Sequence, residues 1–259
     1  MRMCWLTFAV ALCCSMTAQA QLHTESVEYK QGDTTLKGYL AYDASIKGKH
    51  PGVLVVPEWW GLNDYAKKRA EQLAGLGYVA MAVDMYGNGA STTDPKEAGA
   101  MATKVKGDRP LMRERVNAAL ATLNKNPLVD SARVAAIGYC FGGTTVLELA
   151  RSGADVAGVV SFHGGLDTPM PAIPNGIKCK VLVCHGADDA FEPPEQIAAF
   201  QKEMKDAGAD WQMNFYSKAV HGFTNPDNKN SSMKGVAYNE EADKRSWAEM
   251  KQFFAEIFK

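Results

Sequence analysis

The sequence predicts a doubly wound, mostly parallel α/β sheet with helices on both faces. Three observations carry this expectation: short continuous apolar runs, helical spacing in the gaps between them, and a Gly-rich turn where one run passes into a helix. Runs of that length suit strands covered on both faces, and their alternation with helices suits parallel pairing.

The first twenty residues stand apart. Arg2 precedes an apolar run from Cys4 to Cys14, and Ala18-Gln19-Ala20 supplies small residues in cleavage spacing. This pattern predicts a secretory signal peptide over 1–20, with the remainder, 21–259, as a single domain. The apolar run has eleven residues, whereas a membrane-spanning helix needs roughly 20. Export is therefore expected, to the periplasm in a Gram-negative bacterium and otherwise outside the cell.

From Val27 to Tyr42 apolar and polar residues alternate about Gly32-Asp33, predicting an opening hairpin. The runs 52–56, 78–83, 133–138, 156–162 and 180–185 follow as buried strands, with 211–216 as a weaker sixth. Ala66, Ala70 and Leu73 predict one helix, and Met112, Val116, Ala119 and Leu123 another, opened by Asp108 and Pro110. Trp247, Met250, Phe254 and Ile257 predict a last one. The polar, Gly-containing stretch 87–110 is expected to be a surface excursion, and 224–235 a long loop after His221.

Without the leader, 27 basic residues face 29 acidic ones. That balance offers no strong field for nucleic acid or an anionic membrane. Cys140, Cys179 and Cys184 remain, an odd number, so one thiol at least is free. Cys179 and Cys184, five apart on one strand, would face opposite ways and are poorly placed to pair.

The free thiol has a place in "RVAAIGYCFGGTTV", 133–146. Gly138 and Gly142 lie two residues before and two after Cys140, where side chains would clash if the chain turned sharply from strand to helix. This is the nucleophile-elbow pattern with cysteine as nucleophile. The helix start favours a thiolate, and the backbone N–H of Phe141 is aimed at a bound carbonyl oxygen.

An acid and then a histidine should follow, each after a strand. "VLVCHGADDAFEPP" offers Asp189, with Asp188 as the alternative, and "YSKAVHGF" offers His221. His163 and His185, at other strand ends, are expected to shape the pocket floor or bond backbone groups. No metal-ligand spacing is present and no cofactor is implied. A thiol redox protein lacks its C-x-x-C motif.

The sequence resembles the dienelactone hydrolase family of α/β-hydrolases. The matching pieces are "GVLVVPEWWGLND", "AVDMYGNG", "IGYCFGG", "HGADDAFEPP" and "HGF". The resemblance implies the α/β-hydrolase fold, a Cys140, His221, Asp189 triad, and hydrolysis of small esters or lactones through a thioester acyl-enzyme. It also implies that Glu58 interacts with the thiol and helps release it as thiolate, and that Trp59 joins Phe141 in the oxyanion hole.

Family members that act on dienelactone hold its carboxylate with two arginines. The corresponding segments here carry Asn88 and Asn225, so a different substrate preference is expected. Trp59, Trp60, Tyr86, Phe191 and Phe223 are candidates to line an apolar pocket. The chain is expected to act as a monomer. The competing reading is a non-catalytic exported protein that binds a small hydrophobic molecule on the same scaffold.

Overall fold

The computed structural model describes residues 21–259, so the expected leader lies outside the described residues. Strands β1 (Leu22–Gln31) and β2 (Thr34–Asp43) form the opening hairpin. Gly32, at its turn, adopts φ +54°. Then come β3 (His50–Val56), α1 (Asp64–Ala74), β4 (Val79–Ala82), α2 (Pro95–Lys106), α3 (Arg109–Asn124) and β5 (Val129–Tyr139). The chain continues with α4 (Phe141–Arg151), β6 (Gly158–Phe162), β7 (Lys180–Gly186), α5 (Pro194–Asp206), β8 (Trp211–Tyr216) and α6 (Glu240–Ile257).

All eight strands join one sheet in the order β1-β2-β4-β3-β5-β6-β7-β8. The hairpin is antiparallel and pairs antiparallel with β4, while every other pairing is parallel. Alternate strand residues feed two cores. Val53 and Val55 of β3 pack on the side of α1 and α6, with Leu73, Met250 and Phe254. Leu54 and Val56 pack on the other side, with Met112, Val116, Val146 and Phe200 from α3, α4 and α5.

The stretch 87–110 differs from its expectation, because α2 occupies much of it. Asp94 caps it by accepting from the Lys96 amide, and Pro95 takes the first turn, where its missing N–H costs nothing. Ala98 and Val105 are its buried anchors. The 224–235 loop contains one short 3₁₀ turn, Pro226–Asn230, capped by Asn225. Cys179 and Cys184 belong to opposite faces of the sheet and neither is in a disulfide.

Candidate active site

The turn between β5 and α4 shows why two glycines flank Cys140. Cys140 has φ +54° and ψ −114°, a conformation costly for any residue with a Cβ. A Cβ on Gly138 would run into the Gly142 carbonyl and lie 2.8 Å from Gly143 N. A Cβ on Gly142 would meet the Val56 carbonyl and lie 2.6 Å from Pro57 O. Both obstacles are backbone, so no side-chain rotation relieves them.

From behind, the elbow is held by His163. The Cys140 N–H is shared between Phe162 O at 3.0 Å and His163 Nδ1 at 3.2 Å. Nδ1 thus accepts, the ring proton sits on Nε2, and Nε2 faces Thr224 Oγ1 at 2.7 Å. His163 is fully buried, and burial, helped by the charge of His221, holds it well below the usual histidine range. A neutral ring is what the Cys140 amide needs. His185 does not share this arrangement: its buried Nδ1 has no partner, and its ring meets Phe215 edge-on.

Three side chains stand in line across the turn. His221 Nε2 is 3.0 Å from Cys140 Sγ, and His221 Nδ1 is 2.9 Å from Asp189 Oδ2. A carboxylate only accepts, so Nδ1 carries the proton and Nε2 is free to take another from sulfur. Asp189 Oδ1 accepts the Phe191 amide, which fixes the carboxylate in its loop after β7. Asp189 is buried, whereas Asp188 is exposed. Burial disfavours the imidazolium, but Cys140 and Asp189 outweigh it and hold His221 well above its ordinary value.

Glu58 and Trp59 follow β3 beside this line. Glu58 is 3 % exposed, and burial pushes its carboxyl up to about 7 although Asn225 Nδ2 donates to it at 2.7 Å. Its hydrogen-bond partner is thus Asn225, and in this conformation the Cys140 sulfur faces His221. The Trp59 peptide is fixed by Tyr86 Oη, which donates to its carbonyl at 2.9 Å. Among the described residues, the N–H groups of Trp59 and Phe141 have no acceptor outside regular elements. Phe141 opens α4, where amides lack partners within the helix.

These groups open on a cavity of about 390 Å³. Cys140, His221, Glu58, Trp59, Trp60 and Phe141 are on its wall, with Phe191 at the mouth. Four sequence candidates lie elsewhere. Asn88 is exposed on a left-handed turn, φ +53°, where its amide bonds Thr35 O, and it does not line the cavity. Phe223 is fully buried, packed on His163 and Tyr216 beneath the site. Asn225 lines a neighbouring polar groove and touches the site through Glu58. Tyr86 stands behind the wall, its ring 5.6 Å from that of Phe141.

Sequence reasoning missed Ala102 and Lys106 of α2, Thr144 of α4 and Glu192, all on the cavity wall. For α2 the signal was present: Asp94-Pro95 is a helix start, and Ala98, Ala102 and Val105 follow at helical spacing. Glu192 accepts the Leu166 amide, and burial pushes it up to about 7. Among the described residues, no three His, Cys, Asp or Glu side chains gather as metal ligands.

Comparison with known proteins agrees with this architecture. Residues 36–258 match the model of the dienelactone hydrolase family. A solved structure described as m3DLH is 43 % identical, with a TM-score of 0.88 over 92 % of this chain and 100 % of that one. A dienelactone hydrolase-like promiscuous phosphotriesterase from metagenomic libraries is 40 % identical, with a TM-score of 0.86 and the same coverage. The putative carboxymethylenebutenolidase of Aquifex aeolicus is 26 % identical over 205 residues, 78 % of this chain and 87 % of that protein.

Proposed function

The chain belongs to the dienelactone hydrolase family and is an ester or lactone hydrolase, and on that premise we propose that it works by two-step acyl transfer through Cys140, His221 and Asp189. The observation that carries this reading is the contact of His221 with sulfur on one side, 3.0 Å, and with Asp189 on the other, 2.9 Å.

Cys140 Sγ attacks the carbonyl carbon as its proton passes to His221 Nε2, and Asp189 stabilises the imidazolium. The oxygen gains negative charge next to the N–H groups of Trp59 and Phe141. When the tetrahedral intermediate collapses, the C–O bond breaks and His221 returns the proton to the departing oxygen. A thioester remains. Water, losing a proton to His221, then attacks it, and sulfur leaves as the acid is released.

Thiolate is itself a good leaving group, so the first intermediate partitions forward only when the substrate's own group leaves readily. Enol lactones, aryl esters and thioesters meet that condition. The apolar wall of Trp59, Trp60 and Phe141 suits their unsaturated or aromatic parts. In this reading Glu58, held by Asn225, is the carboxyl group that helps release the thiol as thiolate on substrate binding.

Replacing Cys140 by Ala should abolish aryl-ester hydrolysis in a protein whose melting temperature is retained; residual turnover in a preparation free of other esterases would overturn the assignment. Export and a monomeric state complete the proposal, the first resting on the leader sequence alone. A mature protein whose first residue is Gln21 and which sediments as one chain would support both. A cytoplasmic protein that keeps Met1, or a stable dimer, would remove the respective part.

A further inference from the structure

Thr144 lies one helical turn beyond Cys140, and its amide bonds the Cys140 carbonyl. The residue is 1 % exposed and on the cavity wall, and among the described residues its backbone N–H makes a hydrogen bond while its hydroxyl makes none. Across from it is Lys106, the last residue of α2. Gly165 separates the two: the position of the Cβ that Gly165 lacks is 2.8 Å from Thr144 Oγ1, 3.2 Å from Lys106 Nζ and 3.3 Å from Asp167 Oδ1. Because Gly165 has no side chain, the hydroxyl and the ammonium both stay open to the cavity there, beside the carboxylate oxygen that Lys106 already holds.

Lys106 has charge to spare. Its Nζ is 3.1 Å from Asp167 Oδ1, but Asp167 is held independently by Arg109 Nη2 at 3.1 Å. Arg109, Arg113 and Arg151 also surround Glu148, and Arg151 pairs with Glu203. The connected cluster contains four cations, Lys106, Arg109, Arg113 and Arg151, and three carboxylates, Asp167, Glu148 and Glu203. Among these contact pairs the cations outnumber the carboxylates by one. The arginines are mostly buried within the cluster, whereas the Lys106 side chain is 41 % exposed and faces the cavity. The surplus therefore presents itself at Lys106.

We propose that this corner binds a carboxylate carried on the acyl part of the substrate, with one oxygen accepting from both Lys106 Nζ and Thr144 Oγ1. Asp167 then relies on Arg109 as the ammonium turns toward the ligand. One turn of α-helix is about 5.4 Å, so the carboxylate lies a few bonds from the scissile carbonyl, the reach of a short dicarboxylic monoester. The acid on the same wall, Glu192, makes no contact ion pair with Lys106; burial raises its carboxyl, and the Leu166 amide and the more distant Lys106 charge work against that rise.

This inference rests on the hydrolase reading, and a matched pair of esters separates their failures. The probes are 4-nitrophenyl hydrogen adipate and 4-nitrophenyl methyl adipate, alike in length and leaving group but differing in terminal charge. The quantity read is the ratio of kcat/KM for the anionic ester to that for the neutral one. In Lys106→Met the ratio should fall about fivefold, the upper range for a partly exposed ion pair. Thr144→Val should lower it in the same direction, and Lys106→Arg should restore it. A ratio unmoved in Lys106→Met and Thr144→Val, while the neutral ester is still cleaved, overturns the anion site alone. Cleavage of neither ester by the unaltered protein overturns the hydrolase reading and this inference with it.

Discussion

Removing the Asn225 amide should shift the acid limb of the pH profile upward by about one to two units. Glu58 is nearly inaccessible, and burial raises its carboxyl to about 7 while the bond from Asn225 Nδ2, 2.7 Å long, works in the opposite direction. A hydrogen bond to a charged group contributes about 1.5 to 3 kcal/mol, and one pKa unit corresponds to about 1.4 kcal/mol. Without the amide the ionised form loses that support. If the carboxylate is the working form, the rise in kcat/KM that unaltered protein shows near pH 7 should move toward about 8 to 9 in Asn225→Ala. The same rise should disappear in Glu58→Gln.

The assay is kcat/KM for a neutral aryl ester across that range. Asn225 also caps the 3₁₀ turn, its Oδ1 accepting the Asp227 amide, so loop damage needs its own control. Asn225→Asp keeps the cap and replaces the donor by a second carboxyl group. A limb shifted in both variants reports Glu58, and one shifted in the alanine variant alone reports the loop. Coincident profiles for unaltered protein, Asn225→Ala and Glu58→Gln would refute the link between this carboxyl and the reaction.

Asp189→Asn should lower kcat/KM by roughly a thousandfold or more, because an amide can donate to Nδ1 and spoil the tautomer. Asp188→Asn, an exposed change, should stay within about twofold, and the reverse ranking would reassign the acid. Gly142→Ala places a methyl group against the Val56 and Pro57 carbonyls. Urea denaturation should show a loss of more than about 3 kcal/mol, and a loss under about 1 kcal/mol would mean that the backbone around the elbow yields.

The parts legible in the sequence are those in which a local pattern determines a local shape. The elbow was readable because Gly138 and Gly142 must be small for reasons internal to a five-residue turn. The placement of Asp189 and His221 beside Cys140 was readable because the segments after β7 and β8 bring them, in chain order, to the carboxyl ends of neighbouring parallel strands. The wall opposite carried a weaker signal: Asp94-Pro95 marks the start of α2, but its apolar anchors are small alanines and Val105 within a polar stretch. Asn88 and Phe223 failed as pocket residues for a different reason. Phe223 stands two residues after His221 and Asn88 two after Tyr86, but a left-handed turn carries Asn88 to solvent and the aromatic core takes Phe223. Thr144 looked like any helical residue; only a missing bond partner, visible in three dimensions, distinguishes it.

The sheet itself has a practical consequence for the three described cysteines. Cys179 and Cys184 are sealed on opposite faces, and burial pushes each thiol up to about 12. Cys140 alone is partly exposed. A thiol reagent added to the native protein is therefore expected to label Cys140 alone, one equivalent per chain, and the two silent sulfurs only as chains lose their structure. Stoichiometry alone can thus meter the folded fraction of a preparation and its loss on unfolding.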